Sequence, residues 1–206
     1  MLYLVNAACF DARWETPYDK EDVSADQTFT AANGSRQTVD FLTSQEHIYL
    51  SGNNVTGFLK PYAGGKYAFV ALLPDEGVTL ESYLENLTGE HLYQLISTHQ
   101  YANVQASIPR FTAQSELELE EPLRAMGITD LFDVSKADLR GMGSAANDTL
   151  YVSSVLHKTY LSLDENGTRA AAATSAQVNS GSAQPTDVKT VTLDRPFLYM
   201  IVDTHA

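Results

Sequence analysis

Two turn dipeptides constrain this chain most. Asn33-Gly34 separates the β-forming runs "DQTFTA" and "RQTVDFL", and Gly64-Gly65 separates "VTGFLKPY" from "KYAFVALLP". Residues that tolerate positive φ, placed between runs of β-branched and aromatic residues, are the local signature of hairpins. The second return run is continuously apolar, which predicts a strand buried on both faces. Residues 2–10 ("LYLVNAACF") predict another such strand, with the single cysteine, Cys9, as one small apolar residue within it. Because Met1 leads straight into this strand, the natural protein is expected to begin earlier.

Further along, the period changes. Leu80, Tyr83, Leu84, Leu87, Leu92, Leu95 and Ile96 recur at helical spacing and predict two short helices broken at Gly89. "NVQASIPRFTA" (103–113) returns to strand, and "SELELEEPLRAMG" (115–127) predicts a short helix closed by Gly127, with Pro122 in its first turn. Residues 150–163 and 197–203 are again strand-like. The fold class is α+β, with mostly antiparallel β-sheet and a few short helices in a single domain.

Composition excludes several functions. The chain has 26 acidic against 13 basic residues, a net charge of -13, and no basic stripe, so nucleic acid is not an expected partner. No apolar run is long enough to span a bilayer, and the first residues lack signal-peptide features. One cysteine excludes an intramolecular disulfide and any CxxC motif. The histidines, at 47, 91, 99, 157 and 205, never stand at metal-ligand spacing. A phosphate loop, HExxH and G-x-S-x-G are all missing, so no metal, cofactor or catalytic residue is assigned. Sequons at Asn33, Asn54, Asn86, Asn147 and Asn166 are read as chance in a chain rich in Asn, Ser and Thr.

Residues 161–190, "LSLDENGTRAAAATSAQVNSGSAQPTDVKT", pose the functional question. Four alanines favour helix, yet nothing gives such a helix an apolar face. As a strand, residues 168–180 divide by parity. Thr168, Ala170, Ala172, Thr174, Ala176, Val178 and Ser180 form one uncharged set of small or β-branched residues. Arg169, Ala171, Ala173, Ser175, Gln177 and Asn179 form the other, with the only charge. No proline occurs from 168 to 184, so every backbone N–H is free for a sheet ladder. A flexible Ala/Ser-rich linker fits the composition as well; the alternation and the missing proline favour insertion into a sheet.

Glu165 to Thr174 resembles the hinge of inhibitory serpins. "NAACFDARW" (6–14) is similar to that family's N-A-x-x-F-x-x-x-W motif, and "GFLKPYAGGKYAFVALLPDEG" to its hairpin. "IPRFTAQSELELEEPLRAMGITDLFD" resembles its P-[KR]-F … L-x-x-L-G-[IM]-x-x-x-F run. "LYVSSVLHKTYLSLDENGT" and "RPFLYMIVD" resemble the strands flanking its reactive loop. On these motifs, which cover nearly all of the chain in the family's order, it is identified as a member of the serpin family, of inhibitory and prokaryotic type.

The resemblance implies a partial serpin domain over 1–206, with the N-terminal helical half and last strand missing and a reactive-centre loop at about 166–190. Partners would be serine proteases and either the missing half or a second copy. The implied mechanism is suicide inhibition: a protease attacks the loop, and the cut loop inserts into the main sheet. Hinge residues are Glu165, Gly167, Thr168, Ala170, Ala172 and Thr174. Asn6 and His157 match the shutter pair, although His157 alone reads as a satisfied core histidine. Trp14 matches the breach tryptophan where insertion begins, and Arg110 with Glu165 matches a pair that fixes the hinge. Counting seventeen positions from Glu165 ends at Gly181, so Gly181–Ser182 is the expected reactive bond, although the loop is long enough for a later one. Small residues there, with Lys189 as the only basic residue between Arg169 and Arg195, fit elastase- or subtilisin-like rather than trypsin-like targets. The family implies secretion or display at the cell surface. The alternative is a non-inhibitory serpin acting as a binding protein or folding helper; a Ser/His hydrolase has no motif in its favour.

Overall fold

The computed structural model describes residues 2–143, 150–168 and 187–205. Strands β1 (Leu2–Cys9), β2 (Ala12–Arg13), β3 (Val23–Thr30), β4 (Arg36–Gly52), β5 (Val55–Pro61) and β6 (Tyr67–Pro74) come first. Helices α1 (Leu80–Asn86) and α2 (Gly89–Ser97) follow, then β7 (Gln100–Pro109), β8 (Phe111–Glu118) and helix α3 (Glu120–Ala125). The chain continues through β9 (Val152–Asp164), β10 (Gly167–Thr168), β11 (Val188–Thr192) and β12 (Leu198–Asp203). It divides into two compact units, Met1–Phe10 with Thr112–Ser162 and Asp11–Phe111 with Leu163–Ala206.

The larger unit holds a sheet in the order β11-β7-β4-β5-β6-β12, with β3 also on β4. Both expected hairpins are present. Thr30 pairs with Arg36 across Asn33-Gly34, and Pro61 pairs with Ala68 across Gly64-Gly65, where φ is +88° and +68°. A third hairpin joins β4 to β5 through Asn53-Asn54, with Asn54 at φ +61°, so β4 runs well past the "RQTVDFL" segment. Strand β6 is buried on both faces, as its sequence predicts. Ala68, Val70 and Leu72 join Leu50, Val55, Leu59 and Leu95 in one core cluster, against which Tyr83 of α1 and Leu92 of α2 pack. Phe69, on the opposite face, meets Trp14 edge-on.

Helix α2 begins earlier than expected. Thr88 caps it by accepting from the His91 N–H at 3.2 Å, so Gly89 is its first residue and not the break. A threonine oxygen that satisfies an orphan N–H outweighs the poor helix propensity of the glycine beside it. Strands β1 with β9 and β11 with β7 run parallel, whereas β2–β10, β3–β4, β4–β5, β4–β7, β5–β6, β6–β12 and β9–β10 are antiparallel.

In the smaller unit, β9 is flanked by β1 and β8. Residues 115–118 belong to strand β8, and the helix is confined to Glu120–Ala125. The glutamates explain this: Glu118 accepts from Ser154 Oγ and from the Val155 N–H, both at 2.8 Å, and Glu116 pairs with Lys158 at 2.8 Å. Those partners lie on β9, and a helical turn would not present alternate residues to it. The expected burial of β1 does not occur. Tyr3 and Val5 are 65% and 67% exposed, and Cys9 is exposed too. The apolar run sets the strand, whereas burial requires a covering layer on each face.

Gly57 marks the tightest approach of β5 to β6. A Cβ there would overlap the Ala71 carbonyl oxygen and lie 2.8 Å from Leu72 Cδ2. Gly57→Ala is expected to lower stability by about 1–3 kcal/mol through forced displacement of the ladder, read from the denaturant midpoint by circular dichroism.

Candidate functional site

The site is built around the turn that ends β9. Glu165 and Asn166 reverse the chain into β10, and Asp164 Oδ1 accepts from the Asn166 N–H at 2.8 Å and from the Gly167 N–H at 3.3 Å. This is the side-chain-to-backbone bonding that makes Asp a turn former. Strand β10 is paired antiparallel on both edges. Gly167 stands opposite Arg13 and Asp164, and Thr168 opposite Ala12 and Leu163. Gly167 has φ +152°, and a Cβ on it would overlap the Ala12 carbonyl oxygen, so only glycine fits. Thr168 is fully buried.

Residues 14–18 hold the turn from the other side. The Trp14 N–H donates to the Asn166 carbonyl and the Tyr18 N–H to the Glu165 carbonyl, each at 2.9 Å. The Trp14 indole N–H donates to the Asp164 carbonyl at 3.0 Å. Trp14 is 1% exposed and stacks on Tyr62 at 4.5 Å, while Tyr18 meets it edge-on at 6.5 Å. The Tyr62 and Thr168 hydroxyls are 2.7 Å apart and hydrogen-bonded.

A buried ion pair lies beneath these rings, and the sequence reading did not find it. Lys60 Nζ is 2.8 Å from Glu46 Oε1, with the two side chains 2% and 7% exposed. Lys60 also donates to the Thr16 carbonyl at 3.2 Å and stands 4.3 Å from the Tyr18 ring centre and 5.4 Å from that of Trp14. Ser44 Oγ donates to Glu46 at 2.6 Å and lies 3.3 Å from the Tyr18 hydroxyl. Removing one member of such a pair costs about 3–5 kcal/mol, because the other charge is stranded in low dielectric. The signal was a lysine interrupting the apolar run of β5, which demands a buried partner.

Arg110 pairs with Glu165 and, at 3.0 Å, with Asp40. All three side chains are about one-third exposed, so solvent screens the pair and it contributes little more than orientation. In the smaller unit, Asn6 stands opposite His157 in the β1–β9 register. Asn6 is exposed, and among the described residues no hydrogen bond joins the two side chains. Ala170, Ala172, Thr174, Gly181 and Ser182 lie outside the described residues. Among the described residues no group of three His, Cys, Asp or Glu side chains is placed to hold a metal ion, and no helix is long and apolar enough to cross a membrane.

Two predictions follow from the buried phenols. Tyr62→Phe keeps the ring stack but strands the buried Thr168 hydroxyl, and is expected to cost about 1–3 kcal/mol in denaturant unfolding. Burial raises the pKa of both phenols above the ordinary tyrosine value of 10.0, and the Glu46 charge raises Tyr18 further, while the Thr168 hydrogen bond opposes the shift at Tyr62. With folded-state values above the unfolded one, this stabilisation is complete below the ordinary value and is lost as pH rises above it. Unfolding free energy is therefore expected to fall from about pH 10 upward, less steeply in Tyr62→Phe.

Comparison with known proteins places this geometry. The family model described as serpin (serine protease inhibitor) matches residues 1–206. Human Serpin B12 is 36% identical over 98% of this chain and 51% of its own length. Human leukocyte elastase inhibitor is 32% identical over 97% of this chain and 54% of its own length. The crystal structure of a thermophilic serpin, tengpin, in the native state is similar at TM-score 0.87 and 42% identity, over 98% of this chain and 52% of that one. The chain thus spans about half the length of the relatives it matches. It belongs to the serpin family.

Proposed function

We propose that this chain carries the hinge and reactive loop of an inhibitory serpin, which traps serine proteases of elastase or subtilisin type as a suicide substrate. The observation that supports this most is the state of Gly167 and Thr168, which are ladder-paired on both edges with Thr168 buried. The first residues of the loop thus have the backbone pairing that the rest of it would acquire on insertion. The even-numbered residues that would follow Thr168 inward, Ala170, Ala172 and Thr174, are small and uncharged.

In this reading the protease serine hydroxyl attacks the carbonyl at Gly181, or at a neighbouring small residue. An ester to the protease forms, and the amine of the following residue leaves. The freed loop then extends β10 residue by residue, carrying the acylated protease with it. Asn6 and His157, opposite each other on β1 and β9, would act as the shutter where strands part. Trp14, Arg110 and Glu165 would hold the point of entry. The name of one human relative, leukocyte elastase inhibitor, agrees with the small residues near the expected bond. Serine proteases, and the remainder of the fold or a second copy of the chain, are the proposed partners. Secretion or cell-surface display enters this reading on the family resemblance alone.

The full-length protein incubated with elastase, subtilisin or trypsin is expected to form an SDS-stable complex with one of the first two and not with trypsin. The mass of the released peptide would locate the bond. Clean cleavage without a complex would favour the non-inhibitory alternative. Ala170→Arg, at the next position of the same parity set, is expected to convert inhibitor to substrate, slowing insertion about tenfold for each 1.4 kcal/mol that a guanidinium forced inward adds to the barrier. An unchanged stoichiometry of inhibition in that variant would refute the inward insertion of position 170.

A further inference from the structure

We propose that Lys60, with Glu46 as its anchor, is the positioning residue of the hinge turn and so governs how readily the loop enters the sheet; the second half of this statement rests on the inhibitor reading above. The turn at Asp164–Asn166 receives three hydrogen bonds from two residues, Trp14 and Tyr18. These three bonds place the turn only as firmly as residues 14–18 are themselves held.

Those residues have little regular structure to fix them. Beyond the isolated bridge from Trp14 to Tyr62, their backbone donates through Glu15 to the Pro61 carbonyl at 3.0 Å, and otherwise to the turn itself. Trp14 also stacks on Tyr62 and Tyr18 neighbours the Ser44 hydroxyl, but one ammonium group is shared by several of these residues. Lys60 Nζ takes the Thr16 carbonyl as acceptor and stands near the rings of Trp14 and Tyr18. It therefore reaches residues 14, 16 and 18 together. Glu46 fixes the ammonium in place. The β4–β7 register shifts between Glu46 and Ile48, and such bulges re-aim a side chain. Ser44 holds the carboxylate and neighbours the Tyr18 hydroxyl, closing the network.

A buried ion pair is a poor device for stability, since apolar residues of similar volume fill the same space equally well or better. Its distinct property is direction. An ammonium can bind a particular carbonyl and favours the faces of aromatic rings, whereas a methionine at position 60 would pack without choosing among arrangements of residues 14–18. The charge at Lys60 thus has the turn's placement, and not the core's cohesion, as its consequence.

The test is the double variant Lys60→Met/Glu46→Leu in the full-length protein, which removes both charges while keeping the volume. Amide hydrogen exchange is read at Trp14 and Tyr18, whose N–H groups bond the turn, and at Ala71 and Leu73 in the β5–β6 ladder, paired with Phe58 and Thr56, as internal controls. The expected result is exchange about tenfold faster at Trp14 and Tyr18, with the controls and the melting temperature unchanged or improved. The stoichiometry of inhibition with elastase or subtilisin should rise in the same variant. Unchanged protection at Trp14 and Tyr18 would overturn the proposal, and so would uniform acceleration at all four sites, which would reduce the pair to a stability element. A parent protein that forms no complex with either protease would sink the inhibitor reading, while the exchange data would still decide whether Lys60 positions the turn.

Discussion

The double-edged pairing of Gly167 and Thr168 is the constraint on which the rest of the site depends. A two-residue strand lying between β2 and the end of β9 admits no side chain at Gly167, because the Ala12 carbonyl occupies that space. It also requires a small, hydrogen-bonding residue at Thr168, whose hydroxyl is buried and must find a partner. Tyr62 supplies one, and the need to hold Tyr62 at that distance accounts for its stacking on Trp14. Thus a backbone requirement in β10 sets the identity of residues far away in sequence.

Much of the β architecture was legible in the sequence, because its causes are local. Asn33-Gly34 and Gly64-Gly65 marked two hairpins through the φ values their turns need, and the apolar continuity of residues 67–74 marked a doubly buried strand. The reading failed where one local cue competed with another. Residues 115–118 lie in the segment whose Gly127 and Pro122 fit a helix, yet the alternation of Glu116 and Glu118 with Ser115 and Leu117 serves the ladder with β9. Gly89 fits a helix break, but Thr88 before it caps the helix. Burial of β1 could not be read at all, since it depends on what covers the strand and not on the strand's own residues.

At the site the same division holds. Parity put Thr168 in the uncharged set, while Gly167, Arg110 and Glu165 were singled out by the family motifs and by no local cue. The pair of Lys60 and Glu46 was legible only in part: the lysine within the apolar run of β5 called for a buried partner, but which carboxylate meets it depends on how β4 lies beside β5, next to a register shift at Glu46. A period-two reading of β4 and β5 carries no trace of that offset. The buried ion pair also separates two properties that are often merged. Trp14, Phe69 and Tyr62 provide apolar cohesion through the area they bury, while the charges of Lys60 and Glu46 add orientation at an energetic cost that cohesion would not require.

The chain has one tryptophan, and its position has an optical consequence. The indole of Trp14 is stacked on Tyr62, donates its N–H to the Asp164 carbonyl, and has a cationic group 5.4 Å from its ring. Each of these neighbours acts on the excited state of the ring: the charge through its field, the carbonyl through its hydrogen bond, and the phenol as an energy donor. Light emitted from this chain on excitation of its tryptophan therefore comes from one point, beside the turn, and carries the imprint of the turn's carbonyl together with that of the Lys60 charge and the Tyr62 ring.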